Sequence, residues 1–246
     1  MKKRHLVYAI ALIVGMGACA ASAKKQAEAK PDVWKSYNVG TVLFEDKASE
    51  TKGSDIYHRI IPDAESYIKE QARTVLATLY NSPEDSITPV NKIHYTLEDI
   101  EGISAKGGGN GDVTIFYSTR HIEKSFAEND TAKLFFETRG VLLHELTHAY
   151  QLEPQGIGSY GTNRVFWAFI EGMADAVRVA NGGFDGPNAR PKGGNYMDGY
   201  RTAGYFFVWL RDNKDPEFLR KFNRSTLEVI PWSFDGAIKH ILGTEY

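Results

Sequence analysis

The chain has 246 residues, 42% of them hydrophobic, with 29 basic and 31 acidic side chains and a single cysteine. This suits one enzyme-sized domain with a sizeable core, and no internal repeat is visible. A formal charge of −2 gives no electrostatic footprint for nucleic acid, and one cysteine excludes an internal disulfide framework.

At the N-terminus, Met1-Lys-Lys-Arg-His5 is a basic n-region, Leu6 to Met16 an apolar h-region, and Ala21-Ser-Ala23 a small-residue cleavage site. Residues 1–23 therefore read as a signal peptide, too short to span a membrane stably, and the mature protein is expected to be secreted or periplasmic. Cys19 follows Gly17 and Ala18 where the h-region ends. That is also the form of a lipoprotein signal, so an outer-membrane or cell-surface protein with a lipid anchor at Cys19 is the alternative. Cleavage after Ala23 removes three basic residues and no acidic ones, leaving 26 basic against 31 acidic and a charge of −5. Residues 24–35, rich in Lys, Ala and Glu at their start, read as a disordered tether, and 36–246 as a single domain.

Along that domain, Val39–Phe44 is predicted as a strand and Pro62–Tyr80 as a helix, with proline in its first turn and Ile68, Val75, Leu76 and Leu79 on its core face. Lys92–Leu97 is a predicted strand. Lys106-Gly-Gly-Gly-Asn-Gly-Asp112 lacks the Gly-Lys-Ser/Thr ending of a phosphate loop and reads as a flexible hairpin connection into the strand Val113–Tyr117. Helices follow at about Thr131–Leu152 and Asn163–Ala180. A loop rich in Gly, Pro and Asn spans Asn181–Asn195, and further helices cover Gly199–Asp212, Phe218–Asn223 and Trp232–Leu242. Mixed strands first and helices after make an α+β domain: a small mixed sheet followed by a mostly helical C-terminal part.

The segment Gly140-Val-Leu-Leu-His-Glu-Leu-Thr-His-Ala-Tyr-Gln151 makes the most specific chemical claim. His144 and His148, four apart, lie on one helix face and can reach one metal ion. Glu145 can take a proton from a water activated by that ion. The uncharged residues around the motif suit a dry site. A catalytic zinc takes a third protein ligand, and Glu171-Gly-Met-Ala-Asp175 lies in a run apolar nearly all round. Glu171 can ligate, and Asp175, one turn on, can accept the free N–H of a ligating histidine. The competing reading pairs these carboxylates with Arg178 or Arg164.

His-Glu-x-x-His followed by Glu-x-x-x-Asp resembles the gluzincin group of zinc metallopeptidases. More of the chain resembles the basic secretory protein family of plants and bacteria. The matching segments are Asp55–Asp63, Arg139–His148, Ile170–Arg178 and Gly199–Trp209, in family order. Two features depart from the pattern: the net charge is not basic, and the chain stops at Leu242-Gly-Thr-Glu-Tyr246, where a further short helix is expected. The resemblance implies a zincin-like fold, one Zn²⁺ per chain, and peptide-bond hydrolysis on a polypeptide substrate with Glu145 as general base. It assigns Val113, Thr114, Ile115, Phe116 and Tyr117 to a sheet-edge strand that pairs with an extended substrate. A second stabiliser of the oxyanion is implied. Tyr200 is chosen from Tyr196, Tyr200, Arg201 and Tyr205, with His121 as a weaker alternative. The alternative function is a non-catalytic, zinc-containing surface binding protein on the same scaffold. Nothing in the sequence calls for an oligomer, and a monomer is the default.

Overall fold

Residues 32–186 and 188–244 are described by the structure, a computed structural model. The expected signal peptide, Cys19 and the tether as far as Pro31 lie outside the described residues. Trp34 falls within the expected tether but is 5% exposed and packs edge-on against Tyr37, so the core begins before residue 36.

The elements run β1 (Thr41–Asp46), α1 (Lys52–Ile60), α2 (Ala64–Leu79), β2 (Lys92–Glu98), β3 (Ser104–Gly109), β4 (Asp112–Ser118), α3 (Thr119–Ser125), α4 (Thr131–Tyr150) and α5 (Arg164–Ala180). A 3₁₀ turn at Tyr196–Asp198 leads into α6 (Tyr200–Asn213), α7 (Phe218–Glu228) and α8 (Phe234–Leu242). This is the expected α+β order. Among the described residues no helix is long and apolar enough to cross a membrane.

The four strands lie in the order β1-β2-β4-β3. β1, β2 and β4 are parallel, and β3 turns back antiparallel on β4. Register places Val42, Ile93 and Val113 in one row, and alternation along β2 and β4 turns Ile93, Tyr95, Leu97, Val113, Ile115 and Tyr117 inward. These residues join Ile68, Val75 and Leu76 of α2 and Leu142 and Leu146 of α4 in the core.

Two expectations about the strands are corrected. Val113–Tyr117 is not the sheet edge, because β4 is bonded to β2 on one side and β3 on the other. Lys106–Gly109 is not loop but the last four of the six residues of β3, which is the edge. A Ser-Ala-Lys-Gly-Gly-Gly strand has neither β-branched residues nor apolar alternation, so its extended form comes from pairing with β4 rather than from its own propensity. Gly108 sits at φ +81°, and a Cβ there would lie 2.1 Å from the Asp112 carbonyl oxygen, so only glycine fits the bend of the hairpin. The short helices α1 and α3 were also not anticipated; each rests on a side-chain cap, Thr51 for α1 and Ser118 for α3.

Helix α5 is the hub of the C-terminal part, buried at nearly every position from Phe166 to Arg178. It packs on α6 through small residues. A Cβ on Gly204 of α6 would lie 2.8 Å from the Ala176 main-chain nitrogen and 2.9 Å from the Asp175 carbonyl carbon. Alanine has the better helix propensity by about 1 kcal/mol. Here the clash is with backbone, which cannot rotate away, and overpacking of this kind costs about 1–3 kcal/mol. Gly204→Ala is therefore expected to lower stability in denaturant unfolding. A variant as stable as the parent would show that the two helices can separate freely.

Candidate metal centre

The site forms where α4 meets α5 beside β3. Asp130 caps α4 by accepting from the Lys133 N–H, and Asn163 caps α5 by accepting from the N–H groups of Val165 and Phe166. The C-terminal end of α4 is clamped by side chains. The Tyr80 hydroxyl donates to the Tyr150 carbonyl at 2.6 Å, Thr88 Oγ1 to the Gln151 carbonyl at 3.2 Å, and the Leu152 N–H to Asn223 Oδ1 at 2.9 Å. The other end is tied to α5 by Arg178, whose guanidinium donates to Glu137 at 2.6 Å.

Between these ties, His144, His148 and Glu171 converge. The two imidazole Nε2 atoms are 3.1 Å apart, and Glu171 Oε2 lies 3.4 Å from His144 Nε2 and 3.6 Å from His148 Nε2. Ligand atoms on a tetrahedron of about 2.0–2.1 Å radius stand about 3.3–3.4 Å apart, so the three spacings match one face of a tetrahedral zinc site. Glu171 Oε2 is buried and has no hydrogen-bond partner, while its other oxygen accepts from the Tyr160 hydroxyl at 2.5 Å. An orphaned carboxylate oxygen facing two imidazole nitrogens fits a cation between them. The sequence expected these three residues together, and they form a cluster that could hold a metal ion.

Asp175 Oδ1 lies 2.7 Å from His144 Nδ1. An ionised carboxylate only accepts, so His144 carries a hydrogen on Nδ1, and in the neutral ring Nε2 is the nitrogen left free to face the cluster. The competing arginine pairings are absent: Arg178 goes to Glu137 and stacks on Phe184, and Arg164 bonds the Met197 carbonyl and stacks on Trp167.

The electrostatics follow from burial and neighbours. Burial alone would lower His144, but the Asp175 and Glu171 carboxylates outweigh it and raise it. His148 is driven down by burial and by His144 beside it. Glu171 is held low despite burial by His144, His148 and the Tyr160 hydroxyl. Glu145 is raised by burial, with Glu171 adding to the effect; His144, Ser104 and the Lys106 main chain oppose it. Three carboxylates around two imidazoles make a site that favours positive charge.

The cluster opens into a cleft of about 350 Å³, walled by Ser104, Ala105 and Lys106 of β3 on one side and Phe166 and Ile170 of α5 on the other. Of the tyrosines and arginine considered from sequence, only Tyr200 lines it; its ring lies parallel to His144 at 6.1 Å, and it is 47% exposed. Tyr196 packs on Phe234, Tyr205 donates to the Phe184 carbonyl, and Arg201 faces the Phe184 ring. His121 pairs with Glu137; His58, His94 and His240 pair with Asp46, Glu45 and Glu228.

Two contributors were missed. Tyr160 sits in the connection between α4 and α5, and a lone aromatic in Gly-Ile-Gly-Ser-Tyr-Gly was the available signal. Gln151, also on the cleft wall, lies three residues past His148, the spacing that brings side chains to one helix face.

No curated protein and no solved structure matches the chain. The model of the basic secretory protein family, described as a peptidase of plants and bacteria, matches residues 39–246, a span that holds every residue of this site, and the chain belongs to that family.

Proposed function

We propose that this family member is an exported zinc-dependent peptidase of the gluzincin type. The observation that carries the reading is the cluster itself: two Nε2 atoms and an orphaned carboxylate oxygen at 3.1, 3.4 and 3.6 Å. His144, His148 and Glu171 would hold the ion, and the leader pattern of residues 1–23 supports export. When bound, zinc supplies Lewis-acid polarisation of the scissile carbonyl and a lower pKa for the attacking water.

The chain's own groups do the rest. Glu145 points to the cleft from the residue beside His144, and burial keeps its carboxylate a stronger base than an exposed one. It takes the water proton on its carboxylate and passes it to the leaving amine nitrogen as the C–N bond breaks. Asp175 fixes the orientation of His144. Tyr200, on the cleft wall with its ring parallel to His144, offers its hydroxyl to the oxyanion. The substrate backbone lies along the outer edge of β3, the strand that borders the cleft.

Elemental analysis after mild dialysis should give close to one zinc per chain, and His148→Ala should lose it. Equal zinc in both proteins would sink the ligand assignment. Asp175→Asn should weaken zinc affinity about 10–100-fold without unfolding the zinc-saturated protein. Unchanged affinity would refute the orienting role. Glu145→Gln keeps size and hydrogen bonding but cannot accept the proton. It should bind zinc fully and unfold at the parent temperature, yet hydrolyse peptides at least about 100-fold more slowly. Should the zinc-loaded parent cleave nothing in a broad peptide library, the peptidase reading fails and a binding role on the same scaffold replaces it.

A further inference from the structure

His148 has two ring nitrogens, and the cluster uses only one. Its Nε2 faces His144 Nε2 and Glu171 Oε2. Its Nδ1 lies 2.9 Å from the side-chain amide of Gln151, a residue only 4% exposed. The amide's oxygen is buried without a hydrogen-bond partner. A buried carbonyl oxygen left unpaired costs about 1–3 kcal/mol.

The two nitrogens of a neutral imidazole are linked: if one carries the hydrogen, the other is bare. With the amide N–H aimed at Nδ1, the hydrogen would sit on Nε2 and block the nitrogen that faces Glu171. With Nε2 bare, Nδ1 carries the hydrogen and needs an acceptor. A half-turn of the Gln151 amide, whose oxygen and nitrogen occupy nearly equivalent positions, brings Oε1 to that hydrogen and moves the amide nitrogen to the place the unpaired oxygen held. The side chain has little freedom otherwise, since the Gln151 backbone is held at both ends, its N–H by the Thr147 carbonyl and its C=O by Thr88.

We infer that Gln151 is the positioning residue for His148, its Oε1 accepting the Nδ1 hydrogen so that Nε2 is presented to the metal. This rests on the metal reading above and extends it to a residue outside the His-Glu-x-x-His motif. It makes the two histidine ligands unlike: His144 leans on a carboxylate and His148 on a neutral amide.

The test is titration of the full chain with buffered Zn²⁺, comparing the parent with Gln151→Met and Gln151→Glu. Methionine keeps the length without an acceptor and should weaken zinc binding about 10–100-fold, while the metal-free chain unfolds as before. Glutamate keeps the acceptor and should bind zinc at least as tightly as the parent. A methionine variant with parent affinity would overturn the inference. So would a glutamate variant binding tenfold more weakly, because that would mean the amide donates to His148. If methionine prevents folding, the glutamate variant decides alone. A parent chain that binds no zinc would overturn the metal reading and this inference together, whereas parent binding with an unaffected methionine variant overturns only the role of Gln151.

Discussion

Two carboxylates buried in one apolar helix are the constraint on which the C-terminal part of this fold depends. Glu171 and Asp175 are each less than 5% exposed, and an uncompensated charge in such a place costs several kcal/mol. Their compensation comes from the histidine face of α4, joined by the Tyr160 hydroxyl on Glu171 Oε1. The sequence that puts them in α5 therefore also dictates that α5 lie against α4, with His144 opposite Asp175. The Glu137–Arg178 pair fixes the same two helices one step further along, and Gly204 lets α6 close over the back of Asp175. Packing and site geometry are thus set by the same contacts.

The sheet enters this arrangement from the side. Three parallel strands build the apolar layer beneath α2 and α4, and β3 adds nothing to that core: none of its residues is buried in it. Its place is decided by the hairpin with β4, which carries Ser104 to Lys106 alongside Glu145. The helices hold the His144, His148 and Glu171 cluster, and the most weakly determined strand completes the wall opposite it.

Much of this was legible in the sequence, for identifiable reasons. His144, Glu145 and His148 are readable because helical spacing converts directly into shared direction, and Glu171 with Asp175 because charge inside an apolar run has few explanations. Helices α2, α4, α5 and α6 are long, with a periodic core face in α2 and an apolar run in α5, and fall within a few residues of expectation. What could not be read depends on partners distant in sequence. β3 has no local strand signal, so its pairing hid both the strand and the true edge of the sheet. Tyr160 and Gln151 contribute through a contact to Glu171 or His148 that no single-segment pattern encodes. Tyr200 is chosen among several candidates for its family-like segment, and it lies on the wall of the cleft.

The glycine-rich character of β3 carries a consequence for self-association. Among the described residues its outer side has no strand beside it, and an open edge offers main-chain donors and acceptors to any extended chain, a second copy included. Long, flat, β-branched edges are the ones that template such pairing. This edge is short, ends in three glycines and carries one lysine, so it offers no apolar side-chain ladder to lock a neighbour in register. An extended chain would gain main-chain bonds here and little else from the strand itself, whose Ser104–Lys106 end borders the cleft. The same poverty of side chains that concealed the strand thus leaves this edge with main-chain groups alone, and no apolar ladder by which a second copy could pair in register.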